Sequence, residues 1–102
     1  MRLKLSKLAL EDIESIYDHT VAEWGDEQAD RYVGALWEAM LAIEQAPERW
    51  RLRKDIHPAC RACLSGRHLI IYRSGKRGIE ISRVLHGAMN LREHIPPGFF
   101  KE

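Results

Sequence analysis

The spacing of apolar residues changes along the chain, and each spacing predicts a different element. Residues 1–5 alternate apolar and basic side chains, which predicts a short strand with one buried face. From residue 9 onward the apolar spacing is three or four residues, as in a helix with one buried stripe. This stripe consists of Ala9, Ile13, Ile16, Thr20 and Trp24. The outer face of the same helix is acidic and is interpreted as solvated; it carries Glu11, Asp12, Glu14, Asp18 and Glu23. Ser6 is expected to cap the helix, because its hydroxyl accepts a hydrogen bond from an otherwise unpaired backbone N–H.

A second helical stripe follows directly, so the two helices are expected to form a hairpin. Gly25 ends the first helix, and Asp26 is expected to cap the second. The apolar positions of the second helix are Ala29, Tyr32, Val33, Leu36, Met40 and Ile43. Pro47 stops this helix, because proline has no N–H to donate and disfavours helical angles at the residue before it.

The second half of the chain predicts three strands. They cover residues 60–65, 67–73 and 79–85. Residues 74–78 contain two glycines and predict the turn between the last two strands. A short helix is expected over residues 90–95. A strand, a helical hairpin and a three-stranded meander together predict an α+β domain, with the helices on one face of a largely antiparallel sheet.

Size and net charge limit the classes of function. The 102 residues suit one domain over residues 1–102, and 45% hydrophobic with 30% charged residues is ordinary globular composition. Sixteen basic and fifteen acidic residues leave a net charge of +1, whereas proteins that follow nucleic-acid phosphates usually carry a larger basic excess. We therefore expect no direct DNA binding by the chain itself, although the net charge does not exclude a local basic face on the surface. The connector's basic cluster of Arg49, Arg51, Arg53 and Lys54 is interpreted as a solvated loop, with an acidic partner or RNA as the alternative.

The chain carries no membrane signal and no convincing metal motif. No apolar run approaches the roughly 20 residues that cross a bilayer, and the first residues lack the apolar core of a signal peptide. We predict a cytoplasmic protein with no membrane partner and with reduced cysteines. Cys60 and Cys63, with His57 upstream, superficially resemble half of a zinc site. Zinc needs four converging ligands, and residues three apart on a strand point to opposite faces, so we predict buried free thiols, no metal and no cofactor.

Three groups of residues carry a family resemblance. They are Leu5-Ser6 with Ala9, Asp12, Ile13 and Ile16, then Arg61 with residues 66–73, and finally residues 81–88. The most specific part is the string R-V-L-H-G at 83–87, which follows L-I-I-Y-R at 69–73. These segments resemble the ParE/RelE superfamily of bacterial toxins from type II toxin–antitoxin systems, and the resemblance spans roughly residues 3 to 94.

The resemblance implies one of two activities. RelE-like members cleave messenger RNA in the ribosomal decoding site, whereas ParE-like members act on DNA gyrase and block replication. The basic residues available for RNA cleavage are Arg61, Arg73, Arg83 and His86. In a ribonuclease His86 would act as base, and Arg61 with Arg83 would clamp phosphate. No tyrosine follows His86, the tail offers only Phe99 and Phe100, and the net charge is low, so the ParE branch is favoured.

The ParE branch implies a gyrase inhibitor with no catalytic residues, neutralised by a ParD-like antitoxin in a hetero-oligomer. The candidate residues for binding the target or the antitoxin are Trp37, Arg73, Arg83, His86, Phe99 and Phe100. Alternatively, instead of binding a partner, Arg83 would form a structural salt bridge, and His86 would form a hydrogen bond to the backbone at the end of a strand. Core packing is the alternative for the tryptophans, of which Trp37 is the best candidate for a surface anchor. A third hypothesis is an inactive homologue that only binds its antitoxin.

Overall fold

A helical hairpin packs on one face of a four-stranded sheet in the computed structural model, which describes residues 3–87, 91–95 and 99. The elements are β1 (Leu3–Leu5), α1 (Lys7–Trp24), α2 (Asp26–Gln45), a 3-10 turn (Pro47–Arg49), β2 (Cys60–Ser65), β3 (His68–Gly75), β4 (Gly78–His86) and α3 (Leu91–His94). The strand order is β1-β4-β3-β2, with β1 parallel to β4 and the other pairs antiparallel. The predicted α+β architecture is confirmed. Within the described residues no helix is long and apolar enough to span a membrane.

The sequence predicts the N-terminal cap of α1 correctly and that of α2 incorrectly. Ser6 caps α1 as predicted, since its Oγ accepts the N–H of Ala9 at 3.0 Å. The prediction that Asp26 caps α2 is wrong, because Asp26 is already the first residue of the helix. Gly25 occupies the cap position, and its φ of 91° reverses the chain within one residue.

The main core lies between the helices and the sheet. Its buried residues are Ala9, Ile13, Leu36, Met40, Ile43, Cys63, Ile70, Tyr72, Ile79, Ile81 and Val84. Trp24 was predicted to belong to the buried stripe, yet it is 73% exposed. Burial decreases along α1 toward Gly25, so the last turn of the helix lies beyond its packed part. Trp50 packs against the edge of this core, in agreement with the core alternative.

The second face of the sheet carries a smaller core that the C-terminal segment covers. Its buried residues are Cys60, Ile71, Leu85 and Ile95, and Phe99, Leu91 and Ile56 pack against them half-buried. The thiols of Cys60 and Cys63 point to opposite faces, as predicted, because they belong to different cores. Burial raises the pKa of Cys60 to about 12 and also raises that of Cys63, so both thiols stay protonated at neutral pH.

The meander matches the predicted strands closely. β2 has the predicted bounds, while β3 and β4 extend further than predicted into their shared turn, where Gly75 pairs with Gly78 across a two-residue loop. Pairing shifts register between Ile71 and Tyr72, which leaves Ser82 as an extra residue in β4. This bulge decides which side chains of the last strand face each core.

Candidate functional site

The edge of β4 is covered by a strand over only part of its length. β1 pairs with residues 79–81 and then ends, since Ser6 begins the turn into α1. Beyond that point α1 takes the place of a strand, and the carboxylate of Asp12 accepts the backbone N–H of Val84 at 2.9 Å. Ser6 Oγ donates to the carbonyl of Ser82 at 2.7 Å in the same region. Side chains of the first helical turns thus satisfy the backbone groups that β1 leaves unpaired.

Asp12 and Arg83 form a two-pronged ion pair that we call the clasp. Arg83 Nε and Nη2 donate to the two carboxylate oxygens of Asp12 at 2.8 and 2.7 Å, and the side chains are only 13–14% exposed. The third donor, Nη1, bonds the carbonyl of His94 at 3.0 Å. The hydrogen bond with Asp12 raises the pKa of Arg83, so its charge is permanent. The clasp joins α1, β4 and α3, which is the structural role considered for Arg83 as an alternative to target binding.

A cleft lined by histidines lies between the far end of α1 and the β3–β4 pair. Two adjoining hollows of about 340 and 530 Å³ share His19, Thr20, His68 and His86, and we call them together the histidine cleft. His68 and His86 are register partners across the sheet, and their ring centroids lie 5.4 Å apart, edge to face. The side chain of Trp24 forms part of the rim.

The Tyr32 hydroxyl links His68 to the backbone of the turn between β2 and β3. It accepts the backbone N–H of Arg67 at 2.9 Å and lies 2.6 Å from Nδ1 of His68. Nδ1 of a neutral His68 either accepts the hydroxyl hydrogen or donates its own hydrogen to the hydroxyl oxygen, and both tautomers fit this contact. Burial is the main cause that lowers the pKa of His68, and the neighbouring His86 lowers it further.

The stability of the protein is expected to decrease on mild acidification because of His68. The unfolded histidine takes up a proton near its ordinary pKa of 6.5, whereas the folded one resists protonation until a lower pH. The contribution of His68 is thus complete above about pH 6.5 and is lost as the pH falls toward the folded pKa. His68→Asn keeps an acceptor for Tyr32 but does not titrate, so its unfolding free energy should depend less on pH between 7 and 5 than that of the wild type.

Urea unfolding at several pH values measures this difference. The matched control is His19→Asn, in the same cleft but with a side chain that is 77% exposed, which should retain the wild-type profile. Parallel pH profiles for the wild type and His68→Asn would show that His68 does not cause the loss of stability in mild acid.

The residues considered for RNA cleavage converge only in part. Arg83 and His86 both line the smaller hollow of the histidine cleft, but the guanidinium of Arg83 is held in the clasp. Arg61 lies beside Tyr72 and donates to the carbonyl of Trp50 at 2.6 Å. His86 pairs with His68, four residues from Tyr72 on β3, so the backbone positions of Arg61 and His86 are roughly 16 Å apart. The structure therefore does not bring Arg61 and Arg83 together as a phosphate clamp beside His86.

The other candidate binding residues are dispersed over the surface. Arg73 lies on the second sheet face and forms an ion pair with Glu80 at 3.2 Å. Trp37 is 39% exposed on α2, which leaves it available as an anchor. Phe99 is half-buried against the smaller core, and Phe100 lies outside the described residues.

Sequence patterns predict little about three residues that the structure brings into these sites. Tyr32 is a position in an apolar stripe and His68 begins an apolar strand, while Asp12 belongs both to the family resemblance and to the acidic face of α1. Their partners lie 36 to 71 residues away in sequence, beyond the reach of any local pattern. The prediction that this face is solvated is wrong for Asp12, whose side chain is only 13% exposed in the clasp. In the described part of the chain no three His, Cys, Asp or Glu side chains are grouped so as to hold a metal ion.

The arrangement of elements and the sequence both match known toxins. The sequence model of the family described as "ParE toxin of type II toxin-antitoxin system, parDE" matches residues 3–91. Toxin ParE1 of Caulobacter vibrioides is 36% identical over 92 residues, which cover 90% of this chain and 95% of that toxin. Toxin ParE1 of Mycobacterium tuberculosis is 33% identical over 95 residues, 92% of this chain and 97% of that toxin.

A solved structure agrees with these sequence relatives. A chain of the chromosomal ParDE TA system from P. aeruginosa superposes with a TM-score of 0.76 and 26% identity, over 84% of this chain and 95% of that chain. The match includes the order of strand, helical hairpin and meander on which the clasp and the histidine cleft are built. The chain therefore belongs to the ParE toxin family of type II toxin–antitoxin systems.

Proposed function

We propose that this toxin inhibits DNA gyrase in the cytoplasm and so blocks replication. The observation that carries the proposal is membership of the ParE family across residues 3–91. The distance of Arg61 from His86 and the engagement of the Arg83 guanidinium with Asp12 add support, because metal-independent RNA cleavage needs a base and available cations around one phosphate. A protein that acts by binding requires no such convergence.

A ParD-like antitoxin is the proposed neutralising partner. Trp37 and Leu41 lie four residues apart on α2, so their side chains are neighbours, and they are 39% and 49% exposed. Leu64 on the edge strand β2 is 65% exposed. Exposed apolar side chains beside an edge strand are features that a disordered segment can fold against. Leu52 and Arg53 pair with the first residues of this strand. His86 and Phe99 are further candidates.

Supercoiling of plasmid DNA by purified gyrase, measured with increasing amounts of the purified chain, tests the proposal. We expect inhibition of supercoiling and intact messenger RNA in a parallel ribosome-dependent cleavage assay. Cleaved messenger RNA with normal supercoiling would show a RelE-like ribonuclease instead. Neither effect, together with normal growth on expression, would identify an inactive homologue.

The variant His86→Ala separates the two activities further. A general base contributes roughly a hundredfold or more to a rate, so a ribonuclease that used His86 would lose that much activity. Inhibition of gyrase by binding should change by less than about tenfold, the effect of removing one ordinary contact. His57→Ala removes another half-buried histidine, in the connector outside the histidine cleft, and serves as the control.

A further inference from the structure

Although the net charge is nearly neutral, acidic and basic residues are concentrated in different parts of the chain. Residues 7–45, which include both hairpin helices, carry two basic and ten acidic side chains, a net charge of −8. The remaining residues carry fourteen basic and five acidic side chains, a net charge of +9. Because the helices cover one face of the sheet, the acidic hairpin lies apart from most of the basic residues. The prediction of no direct DNA binding rests on the net charge of +1. A net charge does not describe how positive and negative side chains are distributed over the surface.

One basic cleft lies at the end of the sheet where β3 turns into β4. The cleft has a volume of about 520 Å³ and is lined by Lys4, Arg73, Lys76, Arg77 and Glu80, with glycine, serine and alanine between them. Lys4, Lys76 and Arg77 are exposed. Lys4 and Arg73 flank Glu80 as its register partners on β1 and β3, so these three side chains share one sheet face.

The single carboxylate in the cleft lining is already compensated. Glu80 Oε1 accepts a hydrogen bond from Arg73 at 3.2 Å and another from the Ser82 hydroxyl at 3.3 Å. The excess positive charge is therefore contributed by Lys4 and by the two turn residues, Lys76 and Arg77. Three cations around one open cleft produce a local positive potential that attracts an extended anion.

We propose that this basic cleft binds the phosphodiester backbone of duplex DNA. Gly75 and Gly78 flank the turn, and no atom of the described residues lies within 4 Å of the position of a β-carbon on Gly75, so a phosphate can approach the backbone there. The turn extends beyond the neighbouring strands, because β1 pairs with β4 from Ile79 onward and β2 pairs with β3 only as far as Arg73. A projecting turn can reach phosphates at the edge of the wide major groove of B-form DNA, whereas the corresponding groove of A-form RNA is too narrow. Among the described lining residues the one large apolar side chain, Ile79, is buried and cannot anchor an acidic peptide.

Fluorescence anisotropy of a labelled duplex of roughly 20 base pairs, titrated with the purified full chain, tests the proposal. We expect a dissociation constant in the non-specific range of about 1 to 100 µM at physiological salt, and tighter binding as the salt concentration is lowered. With three phosphate contacts, the logarithm of the association constant should fall with the logarithm of salt concentration with a slope of about −2.7. The double variant Lys76→Ala/Arg77→Ala should bind at least about tenfold more weakly, with a slope near −0.9.

The matched control is the double variant Lys7→Ala/Arg31→Ala. It also removes two exposed cations and produces the same net charge, but it changes the acidic hairpin instead of the basic cleft. It should bind like the wild type, and circular dichroism of both variants verifies that the fold is unchanged. An equal loss of affinity in both double variants would overturn the proposal, because only net charge would then matter.

Two competing ligands supply further decisive outcomes. Tighter binding of a duplex RNA of the same length would overturn the assignment to DNA. Binding of polyglutamate through Lys76 and Arg77 without any binding of DNA would show a site for an acidic protein segment. The measurement uses DNA alone, so its result does not depend on whether gyrase is the target. Absence of DNA binding up to about 100 µM at low salt would likewise overturn the proposal.

Discussion

Replacement of Asp12 by asparagine is expected to lower the free energy of unfolding by about 3 kcal/mol. Asparagine has the shape of aspartate and retains an oxygen for the N–H of Val84, so the change removes mainly the negative charge. The guanidinium of Arg83 would then remain 14% exposed without its anion. Removal of one partner of a buried pair costs more than the pair itself contributes, because the remaining charge loses its compensation. For a chain of this size the melting temperature should fall by about 15 °C.

Chemical denaturation followed by tryptophan fluorescence measures the loss. Asp18→Asn changes an exposed carboxylate on the same helix and should alter stability by less than about 0.5 kcal/mol. The double variant Asp12→Asn/Arg83→Gln, which leaves no unpaired ion, should be more stable than Asp12→Asn alone. Equal effects of Asp12→Asn and Asp18→Asn would show that the clasp contributes little.

Gly66→Ala should be the next most damaging of the changes considered, with a loss of roughly 2–4 kcal/mol. Gly66 has a φ of +59°, a conformation that costs an alanine about 1–2 kcal/mol. A β-carbon at this position would lie 2.7 Å from the Tyr32 hydroxyl and 2.9 Å from its ring carbon Cε1. The hydroxyl has little freedom to move away, because it is bonded to both His68 and Arg67. The variant therefore combines backbone strain with disruption of the histidine cleft.

Gly34→Ala provides a control of opposite sign. Gly34 lies within α2, its φ is not positive, and no atom of the residues that the structure describes lies within 4 Å of the position of an added β-carbon. Alanine at an exposed helix position should raise the free energy of unfolding by about 1 kcal/mol. Thermal unfolding of both variants compares the two glycines directly. A Gly66→Ala protein as stable as the wild type would show that Tyr32 moves away without cost.

The fold could be predicted in advance because the information needed for it is local. Helix spacing, the Ser6 cap, the stop near Pro47 and the bounds of β2 all depend on neighbours a few residues away. The errors occurred where packing overrides a local pattern. Trp24 continues the apolar spacing of α1, but that spacing does not reveal where the helix leaves the packed part of the molecule. Asp26 is a good capping residue, yet Gly25 is both the C-cap of α1 and the N-cap of α2.

The sites were harder to predict because they depend on pairs that are distant in sequence. Arg83 stands out in the sequence as a candidate, but its partner Asp12 lies 71 residues away, and no spacing rule connects them. Strand alternation directs Arg83 and His86 to opposite faces, yet both line the smaller hollow of the histidine cleft. The bulge at Ser82, which sets the faces of the last strand, has no recognisable sequence signal. Residue chemistry therefore identified individual candidates, whereas their grouping required the structure.

The parallel pairing of β1 with β4 has a consequence for synthesis of the toxin. Leu3 pairs with Ile79, so β1 has no partner strand until β4 has been synthesised. Until then α1 and α2 have no complete sheet on which to bury their apolar stripes, and contacts so distant in sequence form slowly. A nascent or truncated chain that ends before β4 cannot complete the fold, and its exposed apolar helices make it a target for proteases. The toxin consequently acquires its final shape only after β4 has left the ribosome.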